Sequence, residues 1–227
     1  MDYDFDFSFL STHWDAFLAG ARSTALMSLA TIALGFLAGA LLAVIRTQGP
    51  PAARRIVTAY VDVIRNTPLV IQAFWLFFGL ASLQVRIPAV AAAVIALVIN
   101  VSAYTTEILR AGIESIPRGQ IEAASCLGMN RWKVLRLVVL PQAVERMYPA
   151  LVSQFVLMLL ATSIMSQISV EELTSAGYSV QSETFRGFEI YLVIALVYLC
   201  LSWLLRLLMA SLARAAFTRQ RRLGTPL

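Results

Sequence analysis

The chain has 227 residues, of which 59% are hydrophobic and only 14% charged, where a soluble domain carries roughly a quarter charged residues. Mean hydropathy is +0.75 and the net charge is +5, with a pI of ≈ 9.6. This balance excludes an ordinary water-soluble domain, and the positive charge needs no nucleic acid, since a basic cytoplasmic face against anionic lipid accounts for it.

Residues 1–15 hold Asp2, Asp4, Asp6 and Asp15 and no Lys or Arg, so they read as an acidic periplasmic leader rather than the basic start of a secretory signal. About 20 helical residues cross the roughly 30 Å of hydrocarbon in a bilayer. Uncharged runs at Ser23–Ile45, Asn66–Val85, Ile87–Thr106, Met147–Val170 and Ile190–Leu205 predict five transmembrane helices, the last carried on through Ala213 by snorkelling of Arg206. Residues 16–213 thus form one all-α integral membrane domain, with 214–227 as a basic cytoplasmic tail.

On the first predicted helix, Thr24, Ser28 and Thr31 share one face, and packing explains them better than a substrate role. Gly35 and Gly39 mark a close helix approach whose partner the sequence leaves open. On the third helix, Asn100 is mid-span; it either lines a path or ties helices together. Glu107 is placed to pair with Arg110 three residues on.

The segment after it is punctuated. Ser115–Pro117 predicts a turn and a helix start, and Arg118–Leu127 a short helix. Gly128 fits the left-handed closing position, Asn130 caps a second helix from Arg131, and Pro141 marks where the chain re-enters the membrane. Beyond the fourth helix, Ser166–Arg186 with Glu171 and Glu172 reads as an outer acidic loop.

All Lys and Arg other than Arg22, Arg86 and Arg186 fall on one side of the five spans, which predicts the N-terminus outside (periplasmic) and the C-terminus in the cytoplasm. The two cysteines, Cys126 and Cys200, and the single His13 suggest neither a disulfide framework nor a metal site.

Glu122-Ala123-Ala124, three residues, Gly128, nine residues and Val138-Val139-Leu140-Pro141 resemble the EAA loop of the membrane-spanning subunits of ABC importers, with Val138 where Ile is usual. Arg65-Asn66-Thr67-Pro68-Leu69 with Gln72 is similar to a stretch of polar amino-acid permeases, and the run from Tyr104 to Gln120 resembles what precedes their EAA loop. The resemblance implies a five-helix permease subunit of the bacterial inner membrane, working as a dimer. Its coupling helix (loop 117–141) would dock on a cytoplasmic ATP-binding subunit dimer through Arg118, Glu122, Ala123, Ala124, Ser125 and Gly128. It also implies a separate periplasmic amino-acid-binding protein, for which the Ser166–Arg186 loop is one docking candidate.

A phosphate-binding P-loop needs Gly-Lys, and the sole Lys, Lys133, follows Trp132. No cofactor is therefore expected on this chain, and ATP and Mg are assigned to the partner ATPase. Candidate substrate-path residues are Thr67, Gln72, Asn100, Thr162 and Ser163. Leu159-Leu160-Ala161-Thr162-Ser163 aligns with a family stretch reading L-K-D-T-S, so Leu160 and Ala161 replace two charged residues. That favours a heterodimer, in which a second permease subunit supplies the charges. The expected function is the translocation path of an ATP-driven polar amino-acid importer; the alternative is an ion-gradient-driven amino-acid transporter or channel.

Overall fold

The computed structural model describes residues 4–216, and among them it is helical with no strand. In chain order the helices are α1 (Phe9–Gln48), α2 (Pro51–Arg65), α3 (Leu69–Ser82), α4 (Ala89–Glu114), α5 (Arg118–Cys126), α6 (Arg131–Ile168), α7 (Leu173–Thr184) and α8 (Gly187–Ala216). Among the described residues, α1, α4, α6 and α8 are each long and apolar enough to cross a membrane, and the α2–α3 pair makes a fifth span if counted as one. The chain divides into two compact units, residues 28–158 and the remainder.

In the unit of residues 28–158, α2 packs on α4 through Val57, Val61 and Ala103, with Leu42, Tyr60 and Ile64 around them. The α1 glycines find their partner in the same helix. A Cβ at Gly35 would stand 2.5 Å from the Cβ of Val101, and one at Gly39 2.6 Å from that of Thr105. No larger residue leaves room for α1 and α4 to approach this closely.

Two expectations about this unit are revised. The run from Asn66 to Val85 holds one helix, α3, too short to span alone; α2 precedes the run, and the two meet at a break bent by 104°. Pro68 is the cause, because it lacks an N–H and pushes Thr67 out of the helical region. Likewise, the short helix expected from Arg131 and the fourth span expected from Met147 are a single helix, α6. Pro141 does not begin it. Instead, a π-helical turn at Leu135–Val139 lies just before the proline and accommodates the hydrogen bond it cannot make.

In the other unit, α1 begins at Phe9, so the helix takes up the second half of the acidic leader. Asp6 accepts from the Ser8 N–H at 2.8 Å and pairs with Arg186 at 3.0 Å. Phe5 packs on Phe188 with ring centroids 5.7 Å apart. Residues 4–8 are therefore a strap held to the start of α8 rather than a free leader. The Ser8 N–H, with a smaller share from the Arg186 charge, holds the Asp6 carboxyl below the ordinary carboxylate range.

The end of α6 tightens into a 3₁₀ stretch, Thr162–Ile168, and closes at Ser169. The outer loop expected over Ser166–Arg186 is largely helix α7, whose Leu173, Gly177 and Val180 are buried on one face. The basic residues Arg219, Arg221 and Arg222 of the expected tail lie outside the described residues, as does Asp2.

Candidate functional site

The sequence motif that stands out most becomes a short exposed helix with defined ends. Pro117 precedes α5 with an extended backbone, φ −59° and ψ 132°. At the far end the Gly128 N–H donates to the Ser125 carbonyl at 3.0 Å and the Met129 N–H to the Ala124 carbonyl at 3.2 Å. That pair of bonds closes a helix only if the residue between turns left-handed, and Gly128 has φ +76°. The Asn130 side chain accepts from the Lys133 N–H at 2.9 Å and starts α6. One guanidinium fixes the root of α5: Arg146 of α6 donates to the Ser115 carbonyl at 2.6 Å.

Of the residues assigned to the docking surface, Arg118, Glu122, Ala123, Ser125 and Gly128 are exposed, and Leu127 beside them is 83% exposed. Ala124 differs. It is buried, and its small side chain lets α5 lie against its own chain. A Cβ at Gly119 or Gly128 would meet nothing within 4 Å.

The candidate path residues divide between the two units. Thr67, Gln72 and Asn100 come together in residues 28–158. Gln72 Nε2 donates to the Ile64 carbonyl at 2.9 Å and to Thr67 Oγ1 at 2.8 Å, and its Oε1 accepts from Asn100 Nδ2 at 3.4 Å. Gln72 thereby satisfies a carbonyl left open at the end of α2, and the trio binds α3 to α2 and α4 across the break. Thr162 and Ser163 lie in the other unit and donate back to their own helix, to the Leu159 and Leu160 carbonyls, both at 2.7 Å.

Glu107 pairs with Arg110, as the spacing predicts, with Nη2 to Oε1 at 2.5 Å, and it also holds Arg46 at 2.5 Å. Thr24, Ser28 and Thr31 are all buried.

Reading the sequence puts Glu172 in the wrong setting. Expected in a solvated acidic loop, it is 0% exposed. Its carboxylate accepts from the Tyr198 hydroxyl at 2.6 Å, the Ser175 N–H at 2.9 Å and Thr24 Oγ1 at 3.4 Å. It caps α7 and joins that helix to α1 and α8; Glu171 next to it stays exposed. The available signal was an acidic residue three positions before Ser175, the spacing of an N-cap. Among the described residues, no group of three or more His, Cys, Asp or Glu is placed to hold a metal ion.

Residues 16–218 match the family described as binding-protein-dependent transport system inner membrane component. The chain is 35% identical over 212 residues to the glutamine transport system permease protein of Escherichia coli K12, covering 92% of this chain and 97% of that one. It is 35% identical over 197 residues to a probable glutamine ABC transporter permease protein of Bacillus subtilis 168, covering 86% and 88%. Among solved structures it is similar to an amino acid ABC transporter with histidines, with a TM-score of 0.86 and 34% identity over 94% of this chain and 100% of the other.

Proposed function

We propose, from the premise that this chain belongs to the binding-protein-dependent transport inner-membrane family and is an amino-acid ABC transporter permease, that it forms the translocation path of an ATP-driven importer and takes its driving force through α5. The carrying observation is the mounting of that helix. It is exposed, bounded by Pro117 and Gly128, and fixed at its root by the Arg146–Ser115 bond. A short helix fixed at its root and exposed along one side is suited to being gripped and moved by another protein.

ATP binds on a separate cytoplasmic subunit dimer, with its Mg, and closure of that dimer displaces α5. The displacement exchanges an inward-open for an outward-open path, a two-state change whose balance is set by nucleotide elsewhere. In this reading α5 and the C-terminus face the cytoplasm, the N-terminal strap faces the periplasm, and the protein resides in the bacterial inner membrane. A periplasmic binding protein delivers the solute. The substrate class is a polar amino acid, with glutamine first among those to test because two relatives carry that name.

The permease pair is a heterodimer. Leu160 and Ala161 precede Thr162 where the family stretch they resemble reads Lys and Asp, so the charged contacts for a zwitterion come from a second, different permease subunit.

One experiment tests these points. The tagged chain is purified in mild detergent from its host's membranes beside a version with Gly119–Asn130 replaced by a flexible linker, and co-purifying proteins are identified by mass spectrometry. An ATP-binding subunit is expected with the first and not with the second, together with a second permease. Equal recovery of the ATPase with both would remove α5 from the interface, and transport by a complex containing this permease alone would exclude the heterodimer.

A further inference from the structure

Glu107 sits where three helices converge. Arg46 reaches it from the last turn of α1 at 2.5 Å, Arg65 from the last residue of α2 at 3.9 Å, and Arg110 from its own helix α4 at 2.5 Å and 3.2 Å. Arg65 also lies over the Tyr104 ring, 5.2 Å from its centroid, and Arg110 is shared with Glu114. Three guanidinium groups thus converge on one carboxylate. Without it they would face one another, so Glu107 supplies attraction and suppresses a repulsion between helix ends.

About two helical turns further along, α4 ends and the turn into α5 begins. That turn is fastened to α6 by Arg146. A displacement of α5 therefore enters α4 and α6 directly, whereas among the described residues no hydrogen bond or ion pair ties α1 or α2 to α5. In this part of the unit, the ionic connection from α4 to α1 and α2 runs through Glu107.

We propose that Glu107 is a positioning residue for transport: it makes the ends of α1 and α2 follow α4, so that motion received at α5 is passed to all three. This rests on the reading of α5 as the ATPase contact. Glu107 itself touches no solute. Its role is to set which helices move together.

The test is hydrogen–deuterium exchange on the full complex with its ATP-binding subunit in lipid nanodiscs, with and without ATP plus vanadate. In the wild type, segments 107–127 and 44–65 should both change protection when nucleotide is trapped. In Glu107→Gln, with the ATPase still bound, the change at 107–127 should persist and the change at 44–65 should be lost. Glu107→Asp should restore part of it. Arg46→Gln detaches only α1, so it should lose the change at 44–48 and keep that at 51–65; this guards against a Glu107 variant that merely folds poorly.

A response at 44–65 that survives in Glu107→Gln, or that is absent from the wild type while 107–127 responds, overturns this inference alone. A wild-type complex in which 107–127 does not respond to nucleotide overturns the α5 reading, and this inference with it.

Discussion

Gly128 shows how much one residue's backbone can decide. Its would-be Cβ meets nothing, so sterics would admit any side chain, yet φ +76° costs an L-residue about 1–2 kcal/mol and a β-branched one more. Gly128→Val is therefore expected to leave membrane insertion intact and unseat the end of α5, lowering recovery of the ATPase at least several-fold. Gly128→Asn, which tolerates the left-handed region, should retain most of it. Equal recovery with both variants would mean that the left-handed turn is not what presents the helix. Thr105 makes the opposite point. Its hydroxyl is buried without a hydrogen-bond partner where α1 meets α4. An unpaired buried hydroxyl costs about 1–3 kcal/mol, and removing it in an isosteric change costs little. Thr105→Val should hold or raise the melting temperature in detergent, and a fall of several degrees would show that the hydroxyl has a partner in the assembled transporter.

Among the elements, the sequence was most legible where a single residue type dictates local geometry. Pro117, Gly128 and Asn130 located the start of α5, its end and the start of α6, because each acts through its own backbone or cap. It was least legible where distant groups decide. Glu172 reads as solvated until Tyr198 and Thr24, far away in sequence, close over it, and α7 is a short helix whose buried face becomes visible only through its neighbours. Hydropathy places the edge of a span at Asn66 but cannot show that the chain turns there by 104° from α2, whose Arg54, Arg55, Asp62 and Arg65 interrupt its apolar residues. The N-terminal strap is a further element whose contacts charge alone does not reveal. With the Asp6 carboxyl held below its ordinary range, its contribution is complete above that range and is lost as pH falls through the lowered value. The strap should therefore remain protected from amide exchange from pH 7 to 5 and open only in stronger acid, while Asp6→Asn should open it at pH 7. Protection unchanged in that variant would assign the strap to its aromatic contacts instead.

For the whole molecule, the family was legible from motif spacing, because an exposed helix bounded by Pro and Gly between two apolar spans leaves a fixed pattern in the chain. What the chain transports was not. Thr67, Gln72, Asn100, Thr162 and Ser163 all direct polar groups at one another or at backbone carbonyls, so their chemistry within a single chain is that of helix ends and helix pairing. Within this chain, then, none of these residues points to a particular solute.

Among the described residues, three that are not glycine, Gln84, Ser169 and Phe185, adopt the left-handed conformation, at φ 63°, 65° and 58°. All three are exposed, so their side chains bury little that a glycine would forfeit. Each therefore marks stability the protein has left unused, about 1 kcal/mol apiece and close to additive because the sites are separate. Gly at all three should raise the melting temperature of the purified chain by several degrees. If Phe185→Gly alone also impairs uptake, that residue tolerates its backbone strain for a contact made outside this chain. The triple-glycine variant would be a sturdier form of the protein, obtained without altering a single contact in its interior.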